Sequence, residues 1–376
     1  MKVLYFYPEN PLQKSQGNNA RALALLNYFK SRSIAVDFVG VATEKNTFTT
    51  DDINVLKEEK LISNGYLLPY FKRKQNRMKY FWTFSLPNKF KKRIRMFDRC
   101  RLGHVEAFNA ILKVNTYDFV IISYVCWTEL IRNNSHLKKA KLLIDTHDLL
   151  TSQFQNSSNF KLGAYFQKEI ELLNNFDAIL AISVEEAYLY SQFTKKKVEI
   201  ISHSLNDNGV NVNKGKTIDL LYVASDNEHN KLAAKWFFER VYPLLQFSLK
   251  IVVIGKIVDH FSDFPNVEKI RYAEDLDVYY SNAKIALCPM LTGTGLKIKV
   301  IEAMSYGLPI VCNERGVDGL FNKTNNGCLV TNDEKQFATY IHKLINEDGF
   351  YKINADFSKA YFLENNATTK VYEKLD

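Results

Sequence analysis

Residues 291–309 read LTGTGLKIKVIEAMSYGLP. An apolar run, KIALCPM (284–290), leads into this segment and reads as a buried strand. From about Leu296 the residues take helical spacing. A strand that turns through Thr292, Gly293, Thr294 and Gly295 into a helix leaves free backbone N–H groups and the positive end of a helix at the strand's carboxyl end. Such a place suits a phosphate, and glycine lets an anion come close to the backbone. Lys297 and Lys299, two residues apart at ~100° each, point in roughly opposite directions. Lys299 and Glu302 are three apart and share a face. A lysine for a diphosphate and a carboxylate for sugar hydroxyls fit that pair. The same residues also fit a glycine turn, a solvated helix and an i,i+3 salt bridge, because phosphate loops are loosely defined.

Other residues could take part. His147, in LLIDTHDLL (142–150), stands at a strand end between Asp145 and Asp148. It reads either as a catalytic or sugar-positioning group or as a histidine satisfied by local hydrogen bonds. The two aspartates have no further ligand cluster near them, so no metal is expected. Ser225 and Asn230 follow another strand and could approach phosphates; for Asn230 the role of helix N-cap is the expected one. Glu169 and Glu171 lie on a helix and are expected to be solvated.

These residues need a frame of alternating strands and helices to place them. Strands are predicted over 2–8, 35–42, 117–125, 140–148, 176–183 and 197–202. Helices fall over 18–33, from about 160 to 175, and in EEAYLYSQF. NDNGVNVNKGK (206–216) is polar and rich in Gly and Asn, and reads as a linker. The pattern then restarts, with strands at 217–225, 249–255, 284–290 and 308–313 and helices at 229–245, 275–283 and 334–346. Near-continuous apolar strands separated by helices predict two doubly wound α/β domains with parallel sheets, 1–205 and 217–376, facing a cleft. The last helix is a candidate to cross back to the first domain. Ligands in such sheets bind at the carboxyl ends of the strands.

With 376 residues, 46% of them hydrophobic, the chain is long enough for two cores and is not expected to be disordered. Five scattered cysteines without a CxxC pair predict reduced core thiols and a cytoplasmic protein. No run reaches the ~18 apolar residues of a membrane span. The net charge of +9 is unevenly placed: residues 72–101 hold 12 basic residues against one acid, Asp98. Tyr80, Phe81, Trp82, Phe84, Phe90 and Phe97 are interleaved with them. Basic residues mixed with aromatics are what an element lying on an anionic membrane uses; a basic solvated hairpin with core aromatics is the alternative. Nucleic acid is not expected, since no helix-turn-helix or zinc-finger spacing accompanies the charge.

The longer stretch CPMLTGTGLKIKVIEAMSYGLPIVCNERGVDGL (288–320) resembles the donor-binding segment of the group 1 glycosyltransferases, retaining enzymes of the GT-B fold. The matching residues are Pro289, Gly293 and Gly295, Lys299 through Met304, Gly307 through Val311, and Gly316 with Gly319. The resemblance implies that Glu302 holds the ribose of a nucleotide sugar. It also implies that the loop 292–295, with Lys297 and Lys299, holds the diphosphate. More weakly, YPENPLQKSQGNNARALALLNYF is similar to the family's first strand, glycine loop and helix, which makes Gly17 the matching glycine facing the donor. LLIDTHDLL is similar to the segment whose histidine approaches the transferred sugar, which selects His147. Two departures stand out. Thr294 occupies a position where many members have a glutamate contacting the donor sugar. VASDNEHNK also lacks the Gly-Arg and the Lys that many members carry there, which throws more of the diphosphate's charge onto Lys297 and Lys299.

The resemblance thus implies sugar transfer from a nucleotide-diphosphate sugar to a glycan or lipid-linked glycan, with retention and no cofactor beyond the donor. His147, Lys299 and Glu302 are its catalytic candidates, and Ser225 joins the donor-binding set. The remaining readings are a sugar- or nucleotide-binding protein that has lost catalysis, a nucleotide-sugar epimerase, and a transferase acting on DNA.

Overall fold

The computed structural model describes residues 1–376 apart from 14–16, 44–46, 72–77, 79–80, 87–96, 138, 156, 210–214, 294 and 376, and apart from the side chains of residues 83 and 84. The described chain separates into two compact units, Met1–Ile201 and Ser202–Asp376.

In the first unit seven strands form one sheet. They are β1 (Lys2–Phe6), β2 (Ala35–Val41), β3 (Asn64–Leu68), β4 (Phe119–Ser123), β5 (Lys141–Asp145), β6 (Ala178–Ala181) and β7 (Lys197–Ile200). Their order is β3-β2-β1-β4-β5-β6-β7, and every pair is parallel. In the second unit β8 (Ile218–Val223), β9 (Ile251–Ile254), β10 (Val267–Ile270), β11 (Ala283–Cys288), β12 (Ile310–Cys312) and β13 (Cys328–Val330) line up as β10-β9-β8-β11-β12-β13, again all parallel. Both sheets reverse direction of travel beside their first strand, between β1 and β4 and between β8 and β11. At such switch points the crossovers leave to opposite sides and open a crevice at the strands' carboxyl ends.

The apolar runs are continuous because both faces of each sheet are covered. On β8, Leu221 joins a core with Val252, Cys288 and Ile310, while its neighbours Leu220 and Tyr222 join another with Ile251, Val253 and Leu287. Alternate residues of one strand thus feed two cores, which is why no polar alternation appears in the sequence. The helices that matter for the site are α1 (Gly17–Ser31), α2 (Leu162–Leu173), α3 (Val184–Phe193), α4 (Glu228–Trp236), α5 (Asp277–Asn282) and α6 (Ile298–Ser305).

Between 43 and 116 the structure holds elements the apolar pattern did not pick out: a helix at Thr50–Glu58, the strand β3, and a helix at His104–Val114. The first begins with a capping box, Thr49 and Asp52 each bonding the other's backbone N–H. β3, NGYLL, is a half-exposed edge strand, so burial imprints little pattern on it. The helix expected over 229–245 is α4 for its first part only. It passes into a π turn at Phe237–Val241 and a 3-10 turn at Tyr242–Leu244, where Pro243 ends the regular ladder.

Part of the polar stretch 206–216 is described, and it is held within the second unit. Asn208 Nδ2 donates to Ser305 Oγ at 3.2 Å, and Asp207 pairs with Lys359. Leu205 bridges to Ala367, and Asn366 Nδ2 donates to the His203 carbonyl at 2.8 Å, so the chain's last helical stretch packs on residues 202–205. Cys100, Cys126, Cys288 and Cys312 are buried and Cys328 is half-buried; all five are thiols. Among the described residues no helix is long and apolar enough to cross a membrane.

The basic, aromatic stretch 72–101 divides. Tyr80 and Phe90 lie outside the described residues, as does most of its basic charge. Phe81 and Trp82 sit exposed in a π turn at Phe81–Ser85, and Phe71 and Met78 beside them are exposed too. Phe97 is buried in the first unit's core with Cys100.

Candidate functional site

In the second unit the site starts where β8 and β11 end. β8 stops at Val223, and Ala224 and Ser225 lead to α4. Gly255, at the end of β9, has φ of +113°, and a Cβ there would lie 2.1 Å from the Ala224 carbonyl oxygen. Only glycine lets the β9 terminus come that close. The N-cap of α4 is Asn227, whose side chain accepts the Asn230 N–H at 2.9 Å. The sequence reading had given the capping role to Asn230. That residue is instead buried inside the first turn, where its side chain faces inward. Its Nδ2 donates to Ser225 Oγ at 3.1 Å, and its Oδ1 accepts from Lys299 Nζ at 3.0 Å.

The glycine loop leaves β11 after Pro289 and Met290, and α6 begins at Ile298 with Lys297 at its N-cap position. Thr294 lies outside the described residues. Gly293 and Gly295 both have positive φ, 94° and 78°. His229, on the first turn of α4, bonds Thr292 Oγ1 through Nδ1 at 2.8 Å, and a Cβ on Gly293 would meet its ring at 3.3 Å. The loop's other flank rests on the segment after β12: Gly319, φ +85°, stands where a Cβ would come within 3.0 Å of Leu296 Cα.

The two lysines go separate ways. Lys297 Nζ turns back to the Gly295 carbonyl oxygen at 2.7 Å, in a field shared with Asp318 and Arg315. Lys299 reaches across to Asn230, over the face of Tyr222 and beside Met290 Sδ. Burial pushes both ammonium groups below their ordinary range, with Cys288 and Glu302 opposing the shift at Lys299. Glu302 does not close a salt bridge with Lys299 among the described residues. Its Oε2 accepts from Tyr280 Oη at 3.0 Å, and Tyr280 stacks on Tyr306, which bonds Asp277 at the start of α5. Burial raises the Glu302 carboxyl, against the pull of Tyr280 and Lys299. Cations held partly below their normal proton affinity, beside backbone N–H groups at a helix start, form a place where a bound anion is well stabilised.

In the first unit a second group collects where β1, β4 and β5 end. His147 has φ of 61° and its neighbour across the sheet, Tyr124, φ of 66°; both are left-handed conformations that L-residues seldom adopt. The His147 ring stacks on Tyr124 at 4.3 Å between centroids and on Tyr7 at 5.7 Å. The start of α1 fixes those tyrosines: Asn18 Nδ2 donates to Tyr124 Oη at 2.8 Å, and Tyr7 Oη donates to Asn19 Oδ1 at 2.6 Å. Gly17 is the first residue of that helix.

Asp145 Oδ2 lies 3.1 Å from His147 Nε2. The same carboxylate takes Arg21 Nη2 at 2.7 Å and Nε at 3.1 Å, all three side chains being buried. Burial alone would raise Asp145, but Arg21 and His147 outweigh it and hold the carboxyl well below the usual range. Asp145 is thereby a fixed anion on one side of the imidazole. Sequence reasoning missed Arg21, whose helical spacing among Ala22, Leu25 and Leu26 places it on the buried face. It also expected Glu169 to be solvated. Glu169 is instead buried and accepts the N–H groups of Leu150 and Thr151 at 2.8 and 2.7 Å, while Glu171 is exposed and pairs with Lys168.

Residues 217–347 match the family described as "Glycosyl transferases group 1". Solved glycosyltransferase structures resemble the chain along its whole length. A TarM variant from S. aureus, in complex with Fondaparinux, alpha-GlcNAc-glycerol and UDP, covers 100% of this chain and 98% of its own at a TM-score of 0.68 and 13% identity. Anabaena HepE in complex with UDP and glucose covers the same shares at a TM-score of 0.68 and 10% identity. A relative from Klebsiella pneumoniae, described as an uncharacterized 44.6 kDa protein in the cps region, is 22% identical over 70% of this chain and 75% of its own. The two parallel-sheet units have the GT-B fold of glycosyltransferases. More particularly, residues 217–347 of the second unit carry a domain that matches the group 1 glycosyltransferases.

Proposed function

We propose that this enzyme transfers a sugar from a nucleotide-diphosphate sugar to a glycan or lipid-linked glycan, with retention at the anomeric carbon, in assembling a bacterial surface polysaccharide or glycoconjugate. The observation that supports it most is the Ser225–Asn230–Lys299 chain of hydrogen bonds beside the glycine loop. It fixes one cation at the start of α6, where a diphosphate would also meet backbone N–H groups. As the nucleotide leaves, negative charge grows on its β-phosphate. Lys299, Lys297 and the N–H groups of residues 292, 293 and 295 and of the helix start stabilise that charge without rearranging. Glu302, fixed through one oxygen by Tyr280, offers the other to the ribose hydroxyls.

In the first unit Asp145 is committed to Arg21, so it is not offered as a nucleophile. His147 acts on the transferred sugar through Nδ1, since Nε2 faces Asp145. The similarity to structures holding UDP, glucose and glycans favours a nucleotide sugar and a glycan as substrates, and the cps-region relative favours a polysaccharide product. An acceptor carried on lipid would place the enzyme at the inner face of the cytoplasmic membrane, with residues 72–101 against anionic lipid. No cofactor beyond the donor is required by this reading.

The test is a panel of UDP-, GDP-, ADP- and dTDP-sugars, with nucleotide release followed with and without glycan acceptors. Slow release from one donor, accelerated by an acceptor, is expected, and NMR of the product should show the donor's anomeric configuration kept. Inversion would overturn the stereochemical part. Binding with no release from any donor would favour a protein that only binds, and epimerised sugar formed without acceptor would favour an epimerase.

A further inference from the structure

The backbone around His147 is held from both sides. Before it, Thr146 donates both its N–H, at 3.1 Å, and its hydroxyl, at 3.2 Å, to the Leu180 carbonyl of β6. After it come three consecutive N–H groups, those of Leu149, Leu150 and Thr151, opening a single helical turn at Leu150–Gln153. Groups like these need acceptors, which water or a capping side chain normally supplies. Here two glutamates from two different helices supply them. Glu186 of α3 accepts the Leu149 N–H through Oε1 at 3.2 Å. Glu169 of α2 accepts the Leu150 and Thr151 N–H groups, one on each oxygen, at 2.8 and 2.7 Å. Both glutamates are buried. Each is fixed in turn: Tyr190 Oη donates to Glu169 at 3.4 Å, and the Glu186 backbone N–H is capped by Ser183 at 3.2 Å.

We propose that Glu169 and Glu186 are positioning residues for His147, clamping the N–H groups that follow it and so holding the imidazole in place. The inference rests on the reading of His147 as the group that acts on the transferred sugar. A left-handed L-residue is strained and persists only where the surroundings over-determine it. Two buried carboxyl groups spent on three backbone donors are that over-determination. A turn that needed only to be closed could have used water or a serine.

The two carboxyls differ. Glu169 accepts on both oxygens. Glu186 uses Oε1, and its Oε2 is buried without a hydrogen bond among the described residues. Burial first, and then the nearby Asp148 charge, push the Glu186 carboxyl up to about 8. The groups facing it are Asp148 from the turn, Glu169 from α2 and Tyr190 on its own helix, and burial raises each of these as well. At neutral pH Glu186 is therefore a neutral acid accepting the Leu149 N–H. As pH rises through about 8 it becomes an anion beside Asp148, which itself feels the charge of His147.

The experiment is histidine-labelled NMR of the full chain, following the Cε1 signal of His147, assigned by its absence in His147→Gln. The parent should show an inflection near pH 8, and Glu186→Gln, which keeps the carbonyl acceptor and cannot ionise, should lack it. Glu186→Asp, too short to reach Leu149, should displace the His147 signal at neutral pH; Glu171→Gln, on the exposed face of α2, should not. A parent without that inflection, or one that persists in Glu186→Gln, overturns the proposal. Turnover of the donor found active should fall above pH 8 in the parent and stay level in Glu186→Gln. The NMR result stands without any turnover, so a failure of the clamp and a failure of the sugar-transfer reading are told apart.

Discussion

Lys299 Nζ lies 3.0 Å from Asn230 Oδ1, and this bond joins the first turns of two helices that each begin at the carboxyl end of a central strand. Asn230 is oriented by Ser225, so the amide can present only its oxygen to the lysine. The cation is thus placed before any ligand arrives. Lys299→Ala is expected to weaken binding of the preferred nucleotide among UDP, GDP and ADP by on the order of 1.5–3 kcal/mol, the range of a charge-assisted hydrogen bond. Asn230→Ala removes only the orientation and should cost about 1 kcal/mol. Because one acts through the other, the double variant should lose less than the sum. Calorimetric titration of the four proteins checks this, and strict additivity would show that the two side chains work independently.

Glu302 stands one turn further along α6 and depends on a different partner. Tyr280 donates to its Oε2 at 3.0 Å and is stacked on Tyr306. Glu302→Gln should weaken nucleotide binding while leaving the fold intact, since the amide keeps the volume. Tyr280→Phe removes a single hydroxyl and should loosen the carboxylate, lowering donor affinity by roughly 0.5–1.5 kcal/mol. Binding of the free nucleotide diphosphate and of a ribose-lacking pyrophosphate separates the effects. If Glu302→Gln weakened both equally, its carboxylate would not be serving the ribose.

Asp145 and Arg21 form a buried pair whose loss should be felt throughout the first unit. Arg21→Met leaves an uncompensated buried carboxylate, and on the order of 3–5 kcal/mol of stability should go with it. The sign with pH follows from the direction of the shift. Asp145 is held below its ordinary value, so its contribution is present above the unfolded carboxylate value of about 4 and is lost as pH falls through the folded one. Acid should therefore cost the parent more of its stability than it costs Arg21→Met. Urea unfolding at pH 7 and pH 3 measures it: the gap between the two proteins should shrink at pH 3. An equal gap at both values would mean that Arg21 stabilises by packing alone.

How much of this was legible beforehand differs from residue to residue. The parallel sheets and the glycine loop could be read because burial on both faces of β1, β4, β5, β8 and β11 leaves unbroken apolar runs, and because Gly293 and Gly295 break the next one. β3 could not, since an edge strand of sequence NGYLL takes little imprint from a core. Asn230 and Asn227 are both plausible caps in sequence, and only the helix's starting point decides between them. Glu169 and Glu171 look alike on one helix, yet two residues apart they face opposite sides, and the buried one was the one that matters. Arg21 and Asp145 are 124 residues apart, so nothing in either local pattern announces the pair.

The stretch 72–101 gives the last prediction. In sequence, its 12 basic residues against one acid are interleaved with or adjoin Phe71, Met78, Phe81 and Trp82, which are exposed, while Phe97 is taken by the core. Aromatic and methionine side chains left in solvent next to a block of cations suit a headgroup layer, where rings enter the interface and cations meet anionic lipid. At ~1 kcal/mol per basic residue near an anionic surface, four engaged residues give a clear preference that fades with salt. Vesicles of phosphatidylglycerol should therefore co-sediment the protein at low salt, and phosphatidylcholine vesicles should not. Trp82→Ala should weaken the binding without changing nucleotide affinity, because Trp82 belongs to the first unit and the glycine loop to the second. Equal partition onto both kinds of vesicle, together with full activity on a water-soluble acceptor, would leave the exposed aromatics to some other partner.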